Sequence, residues 1–137
     1  MTSEMMTFEV TATRNDSSGS TVRSKNAELT IDTSMAGRLD ALNPVELLLS
    51  SLSACLIKGI ERVAETLGIE YESVDVALTA HRPVDDARIE DIHYLIRIET
   101  EANQNKLELL HKNLMKFGTI YNTVKSGTRL SGEIRTF

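Results

Sequence analysis

The stretch between positions 43 and 68 constrains the fold of this chain more than any other part of its sequence. It opens with Asn43-Pro44-Val45-Glu46, in which an asparagine can cap a helix, a proline can occupy its first turn and a glutamate can reach back to the cap. Gly68 can adopt the left-handed conformation that often ends a helix. These signals predict one long helix from Pro44 to Leu67.

The first half of this predicted helix is apolar on nearly every side. Its apolar residues are Val45, Leu47, Leu48, Leu49, Leu52, Ala54, Leu56 and Ile57. Such a helix is normally buried on most sides, and a chain of 137 residues cannot easily enclose it alone. We therefore predict a long buried central helix that a second subunit helps to cover. The charged residues of the second half, Lys58, Glu61, Arg62 and Glu65, should reach solvent.

Strand patterns lie on both sides of the central helix. Before it, Met6 to Arg14 alternates between apolar and polar residues, and Thr21 to Lys25 and Ala27 to Thr33 follow as shorter strands. These three strands predict a small antiparallel meander. After the helix, Tyr71 to His81 and Ile89 to Glu99 alternate again and should pair as a long hairpin.

The last third of the chain predicts one more helix and one more strand. Apolar residues at helical spacing indicate a helix from Asn105 to Phe117, which Gly118 ends or kinks. A short helical turn over 119–125 and a strand from Thr128 to Phe137 complete the order βββ-α-ββ-α-β, which is an α+β arrangement. No repeat, linker or low-complexity tract divides the sequence, so we predict a single domain over residues 1–137.

Composition and charge exclude several classes of function. A net charge of −5 argues against a non-specific nucleic-acid binder and against a protein that binds anionic membranes. No apolar run approaches the roughly 20 residues that span a bilayer, and the polar, acidic start is unlike a signal peptide. One cysteine cannot form an internal disulfide. We therefore expect a cytoplasmic protein that binds neither nucleic acid nor membrane.

Cys55 is the first candidate for chemistry, and two interpretations of it stay open. A free cysteine is often a small buried apolar residue, and in that case Cys55 only packs. A reactive thiolate would need a cation nearby, because Cys55 is the twelfth residue of the predicted helix and lies too far from its N-terminus to benefit from the dipole. Lys58, three residues on, is a neighbour on the helix surface.

No metal or resident cofactor is predicted. The three histidines, His81, His93 and His111, show no metal-ligand spacing, and the single cysteine provides no second thiol ligand. Neither Gly37 nor Gly68 belongs to a phosphate-binding motif. Any cofactor would be an external thiol that reduces the protein.

Two runs of sequence resemble the OsmC-like superfamily. The run from Asn43 to Cys55, NPVELLLSSLSAC, resembles the family's NP-x-E-LLL-x-x-L-x-x-C motif on the central helix. The run from Lys116 to Val124, KFGTIYNTV, resembles the segment that carries the family's second cysteine. The order of the elements also agrees. The resemblance implies the OsmC-like fold and an intertwined homodimer with two active sites at its interface.

The resemblance also implies a set of catalytic residues. In OsmC and the organic hydroperoxide resistance proteins, a first cysteine attacks a peroxide and becomes a sulfenic acid, and a second cysteine resolves it as a disulfide. An arginine from the N-terminal strands, held by a glutamate, stabilises the thiolate. On this resemblance Cys55 matches the first cysteine, Arg14 matches the arginine, and Arg38 is the reserve.

This chain departs from the family pattern at two positions. Gly118 stands where the resolving cysteine is expected, and Val45 stands where the glutamate is expected. Glu46 projects about 100° further round the helix and is not expected to substitute for that glutamate. A two-cysteine cycle within one chain is therefore excluded.

Two functional hypotheses follow from the retained thiol and the missing partners. The first is a one-cysteine thiol-dependent peroxidase in oxidative-stress defence, which uses Cys55 on an organic hydroperoxide and is recycled by an external thiol. The alternative is a non-catalytic binder of a small, partly apolar, acyl or thiol-bearing metabolite in the cleft of the dimer interface. If Cys55 only packs, the function lies elsewhere.

Overall fold

The computed structural model describes residues 3–127. The chain forms two compact units, one that ends at Leu48 and one that begins at Leu49. The α+β class and the predicted order of elements are confirmed through the second helix and the turn after it. The last predicted strand, Thr128 to Phe137, lies outside the described residues. The single domain over residues 1–137 stays a prediction, as does the homodimer.

The N-terminal unit contains a three-stranded antiparallel sheet in the order β1-β2-β3. Its strands are β1, Thr11–Asp16; β2, Gly19–Ser24; and β3, Ala27–Ile31. The β1–β2 turn closes because Asp16 Oδ1 accepts hydrogen bonds from the Ser18 amide at 2.8 Å and the Ser18 hydroxyl at 2.6 Å. The β2–β3 turn uses Lys25 at a φ of 53°, as the predicted break at this position requires.

The first strand is shorter than the sequence pattern predicts. Pairing of β1 with β2 begins at Thr11, opposite Arg23, and β2 ends at Ser24. Residues before Thr11 therefore have no partner strand within the described part of the chain. Only the Ser24 hydroxyl, which donates to the Glu9 carbonyl at 2.8 Å, continues the contact. Period-two alternation indicates a strand, but backbone partners decide where it starts.

A structured loop joins β3 to the long helix. Buried Asp32 accepts hydrogen bonds from the Ser34 hydroxyl at 2.6 Å, the Ser34 amide at 2.9 Å and the Arg38 amide at 2.9 Å. These bonds lower the pKa of Asp32, the Ser34 hydroxyl contributing most. The Asp32 amide in turn donates to the Leu42 carbonyl at 2.9 Å. One buried carboxylate thus fixes the path of the loop.

The long helix α1 spans Pro44–Leu67, as predicted. At its start the Asn43 amide donates to Glu46 Oε1 and the Glu46 amide donates to Asn43 Oδ1, both at 2.9 Å. At its end Gly68 has a φ of +68° and donates to Glu65, while the Ile69 amide donates to Ala64. This pair of bonds is a Schellman motif. Local residues therefore set both ends of the helix.

The C-terminal unit packs a hairpin and the helix α2 against α1, and a short helix follows α2. The hairpin strands are β4, Val74–His81, and β5, Asp91–Ile98, which pair antiparallel. The helices are α2, Gln104–Phe117, and α3, Thr119–Ser126. The core of this unit consists of Ile60, Val63, Ala64, Ile69, Leu110 and Leu114. Alternate residues of both strands face this core.

Burial along α1 is uneven in the single chain. Leu52 and Leu56 are buried, but Val45, Leu47, Leu48 and Leu49 are only half-buried and Ile57 is 39% exposed. The most continuous burial falls in the second half, at Gly59, Ile60, Val63 and Ala64. The core residues of the hairpin and α2 pack along the second half, and the expectation that a second subunit helps to cover the first half stays a prediction.

Candidate active site around Cys55

Cys55 lies half-way along α1 and carries a free thiol that is half-buried. Two buried leucines flank it, Leu52 one turn earlier and Leu56 directly after it, while Ala54 is exposed. Its expected burial is therefore incomplete, because only part of the helix circumference at this level is covered. Cys55 therefore combines buried apolar neighbours with partial exposure of the residue.

Gly118 lies directly against the Cys55 sulfur. A Cβ atom at position 118 would be 3.2 Å from Cys55 Sγ, 3.2 Å from the Leu114 carbonyl oxygen and 3.2 Å from Tyr121 Cβ. The residue at the position expected for a resolving cysteine thus faces the thiol. All four residues belong to the C-terminal unit. This geometry depends on Gly118 separating α2 from α3 at the level of Cys55.

The N-terminus of α3 also lies on the side of the thiol. Gly118 is the C-cap of α2, where its amide donates a hydrogen bond to the Leu114 carbonyl at 3.1 Å, and it is also the N-cap of α3. Glycine has no side chain to cap α3, and no side-chain hydrogen bond is made there. The first turn of a helix carries partial positive charge. This local dipole was not foreseen in the sequence, where only the dipole of α1 was considered.

The two candidate arginines lie in the N-terminal unit, before Leu49. Arg14 is exposed on β1, opposite Ser20. Arg38 lies in the loop after β3, and its side chain is 26% exposed. Cys55 belongs to the other unit, so a catalytic role for either arginine stays a prediction.

Arg38 is held by a carboxylate that the sequence analysis did not single out. Its Nε and Nη2 donate to the two Asp40 oxygens at 2.8 and 2.9 Å, and its Nη1 donates to the Ser18 carbonyl at 3.4 Å. The bidentate pair raises the pKa of Arg38 and lowers that of Asp40. The Arg-x-Asp spacing is the sequence signal that could have suggested this pair.

Two residues at the start of α1 bear on the expected anchoring glutamate. Val45 has no carboxylate, and Glu46 uses Oε1 to accept from the Asn43 amide. That Glu46 does not replace the family glutamate stays a prediction. In the N-terminal unit, Asp40 holds Arg38, as described above, and Glu28 holds Arg23 at 3.0 Å.

A cavity of about 280 Å³ lies between β5 and α2 in the C-terminal unit. Its wall is mainly apolar, with Ile60, Ile96, Ile98, Leu107, Leu110 and Leu114, and Tyr94 and His111 supply polar groups. Tyr94 Oη and His111 Nε2 are 2.6 Å apart, and their rings meet edge to face at 5.7 Å. Burial, and secondarily Tyr121, raises the pKa of Tyr94. Nothing in the sequence indicates this pair, since the spacing of His111 indicates only that it is not a metal ligand.

The remaining histidines lie away from this cavity. His81 pairs with Asp91 at 2.7 Å, and exposed His93 alternates with the inward-facing residues of β5. Within residues 3–127, no group of three histidine, cysteine or acidic side chains could hold a metal ion. No helix in this part of the chain combines the length and the hydropathy needed to cross a bilayer.

The family match and the fold together define the class of this protein. The family model for OsmC-like proteins matches residues 36–132, well over half of the chain. The chain therefore belongs to the OsmC-like family, and the match includes both Cys55 and Gly118. No match is found among curated protein sequences.

Solved structures support the same fold. An OsmC-like protein from Mycoplasma pneumoniae superposes with a TM-score of 0.82 at 19% identity, over 89% of each chain. The organic hydroperoxide resistance protein OsmC from Legionella pneumophila gives a TM-score of 0.66 at 20% identity, over 90% of this chain and 92% of the other. OhrB of Bacillus subtilis, also an organic hydroperoxide resistance protein, gives a TM-score of 0.62 at 18% identity, over 89% of this chain and 93% of the other. These identities establish a shared fold.

Proposed function

We propose that the protein is a one-cysteine thiol peroxidase that reduces organic hydroperoxides and contributes to oxidative-stress defence in the cytoplasm. The observation that carries this proposal is the half-buried Cys55, whose sulfur lies beside Gly118 at the N-terminus of α3. Two relatives of the same fold are named for organic hydroperoxide resistance. A reducing compartment suits a chain with one cysteine.

The proposed reaction has two stages. The Cys55 thiolate attacks the terminal oxygen of a hydroperoxide, an S–O bond forms and the O–O bond breaks. Cys55 becomes a sulfenic acid, and the hydroperoxide leaves as an alcohol that takes up the thiol proton. An external thiol then attacks the oxidised sulfur, releases water and leaves a mixed disulfide, which a second thiol reduces. Gly118 cannot perform this second stage, so the reductant must come from outside the chain.

Intact-mass measurement of the purified protein tests the first stage. After treatment with cumene hydroperoxide, the wild type should gain one oxygen that a sulfenic-acid reagent captures, and Cys55→Ser should gain none. Thiol donors should then restore the original mass while the peroxide is consumed. A wild type that neither gains oxygen nor consumes peroxide with any donor would exclude this function.

Arginine variants test the expected cation. Arg14→Ala and Arg38→Ala should each be compared with Arg88→Ala, a control in the hairpin connection whose guanidinium pairs with Asp86 at 2.7 Å. If one arginine stabilises the thiolate, its loss should slow Cys55 oxidation about tenfold or more, which corresponds to roughly 1.4 kcal/mol. If Cys55 is oxidised equally fast in all three variants and in the wild type, Arg14 and Arg38 have no part in the mechanism.

The active protein is proposed to be a homodimer. The N-terminal unit leaves Met5, Met6, Phe8, Val10, Met35 and Leu39 each at least 65% exposed, and apolar surface of this extent commonly marks an interface. Sedimentation should give a dimer, and joint replacement of Phe8 and Leu39 by serine should shift it toward monomer. Val84→Ser, at a 99% exposed position of the hairpin connection, is the control. A monomeric wild type at micromolar concentration would contradict this proposal.

A second candidate function is the binding of a small, partly apolar metabolite. The observation that favours it is the apolar cavity of about 280 Å³ with the Tyr94–His111 pair in its wall. It differs from the expected interface cleft, since the cavity lies within the C-terminal unit. Native mass spectrometry should show a co-purifying ligand that Leu107→Trp removes. The wild type would then purify with a ligand, or its amide NMR signals would shift when alcohols, amines or acyl thioesters are added. Absence of both results would exclude this candidate function.

A further inference from the structure

The cavity between β5 and α2 combines an apolar interior with a defined size. Its volume is about 280 Å³, and Ile60, Leu110 and Leu114 are buried residues of its wall. A dry apolar cavity of about 150 Å³ already holds benzene, so this space suits an aromatic ring or a short alkyl chain with one polar substituent. Burial of the hydrocarbon part is favourable for any such ligand, so the polar groups of the cavity decide which class binds.

The polar side chains of the cavity wall come from one face of α2 and from β5. Gln104, Glu108 and His111 recur at helical spacing, which places them on the same side of α2. All three are exposed, whereas Tyr94 on β5 is half-buried. The polar groups therefore lie at the outer edge of the cavity, and the aliphatic side chains lie deeper.

Hydrogen bonds among these side chains use donors and leave acceptors. Gln104 Nε2 donates to Glu108 Oε1 at 3.4 Å, so the second Glu108 oxygen and the Gln104 carbonyl oxygen can accept from a ligand. When Tyr94 donates to His111 Nε2 at 2.6 Å, the phenol oxygen can still accept as well. A ligand group that donates hydrogen bonds matches this edge better than one that only accepts them.

The charge of the cavity wall favours the same kind of ligand group. Among the described residues that line the cavity there is no lysine or arginine, and Glu108 carries a negative charge. Within residues 3–127, its carboxylate forms no salt bridge. A cationic group on a ligand could pair with this carboxylate, whereas an anionic group would be repelled by it.

We propose that this cavity binds small apolar amines, with the ammonium group at Glu108 and the hydrocarbon part against Ile60 and Leu110. The inference rests on the second candidate function, the binding of a small, partly apolar metabolite, and adds the chemical class of that metabolite. An ammonium group has three donors and a positive charge, so it meets both requirements of the cavity edge. A neutral alcohol meets only the first requirement, and a carboxylate meets neither.

Three probes with the same phenylethyl body isolate the effect of the polar group. They are 2-phenylethylamine, 2-phenylethanol and 3-phenylpropanoate. Each is titrated into the full chain at neutral pH and low salt, and the amide NMR signals are followed. The amine should bind with a Kd about tenfold or more below that of the carboxylate, and the signals that shift should be those of residues 94–98 and 104–114.

Glu108→Gln tests the role of the charge. The change keeps the shape of an exposed side chain, so the fold should be retained. The advantage of the amine over the carboxylate should shrink to about twofold or less, while the Kd of 2-phenylethanol should stay the same. Glu90→Gln removes the same charge from the hairpin connection, outside the cavity wall, and should preserve the advantage.

The outcomes separate this inference from the function on which it rests. If none of the three probes shifts the signals, the inference fails, and the candidate function fails with it only if the wild type also purifies without a ligand. Equal affinities for amine and carboxylate refute the amine class and leave binding in the cavity intact. An advantage of the amine that survives in Glu108→Gln would place its site elsewhere on this acidic chain and would also overturn the inference.

Discussion

The two units of this chain are stabilised by different kinds of interaction. Up to Leu48, the buried residues of the described chain are Gly19, Ser20, Thr21 and Asp32, and the unit is organised by turns, caps and ion pairs. From Leu49 onward, an apolar core of leucine, isoleucine, valine and alanine is buried. Burial of apolar surface is the main favourable term in folding. The C-terminal unit therefore has its own apolar core, whereas polar contacts organise the N-terminal unit and its large apolar residues are exposed.

The same difference divides the proposed chemistry. The thiol, Gly118 and the Tyr94–His111 pair belong to the unit with the apolar core. The candidate cations, Arg14 and Arg38, belong to the polar unit. The thiol and its expected cations therefore belong to different units, and the arginine variants test the proposed link between them.

The largest expected effect is a charge in the apolar core. Leu52 is 3% exposed, and Leu52→Asp buries a carboxylate without a partner, which costs several kcal/mol out of a typical stability of roughly 5–15. Far-UV circular dichroism should show an unfolded or aggregated protein. Lys58→Asp, at an exposed position of the same helix, should remain folded. A stable, soluble Leu52→Asp protein would show that α1 is not a core helix.

Gly118→Cys should restore a disulfide within the C-terminal unit. The Cβ position at residue 118 is 3.2 Å from Cys55 Sγ, and bridged cysteines need closely approaching side chains. Mild oxidation should remove both free thiols and raise stability by about 2–4 kcal/mol. Thr119→Cys, one residue further on, should stay reduced. Two free thiols in oxidised Gly118→Cys would disprove the facing geometry of Cys55 and Gly118.

A moderate effect is expected in the polar unit from Asp32→Ala. This change leaves the amides of Ser34 and Arg38 without their acceptor, and Tm should fall by roughly 5 °C. Hydrogen exchange should rise in residues 32–40 and stay unchanged in α2. Asp75→Ala, which removes an exposed ion pair with Arg97 at 3.4 Å, is the control. Faster exchange throughout α2 would mean that the two units unfold together.

The lowered pKa of Asp32 gives this contribution a definite pH dependence. Its folded-state pKa lies below the ordinary value of 3.8, so the stabilisation is complete above that value and is lost as pH falls through the folded-state pKa. The difference in Tm between wild type and Asp32→Ala should therefore narrow in acid. A constant difference from pH 6 to pH 2 would contradict a role for the ionised carboxylate.

The smallest effect is expected at the cavity. Tyr94→Phe removes the hydrogen bond to His111 and should cost about 0.5–1.5 kcal/mol in urea unfolding. Since burial raises the pKa of Tyr94, the wild type should lose part of its advantage as pH rises above the unfolded-state value of about 10. His93→Gln, on the exposed side of β5, is the control. Equal stabilities of Tyr94→Phe and wild type would show that the pair contributes nothing.

Some features of the fold follow from sequence alone, because neighbouring residues determine them. Asn43 and Glu46 cap α1, Gly68 ends it, and Gly118 separates α2 from α3. The hairpin strands were also foreseen, since alternating residues need one face for the core. The motif around Cys55 resembles that of the OsmC-like family, and the family match over residues 36–132 confirms the resemblance.

Other features depended on partners that are distant in sequence. The Arg38–Asp40 pair, the hydrogen bonds of Asp32 and the start of β1 at Thr11 reflect which groups meet in space. The sequence alignment with the family motif puts Gly118 at the position of the missing cysteine. Only the tertiary structure shows that a Cβ atom at this position would be 3.2 Å from the Cys55 sulfur. Helix caps and hydrophobic periodicity depend on residues a few positions apart. Cys55 and Gly118 are 63 positions apart and become neighbours only when the core packs.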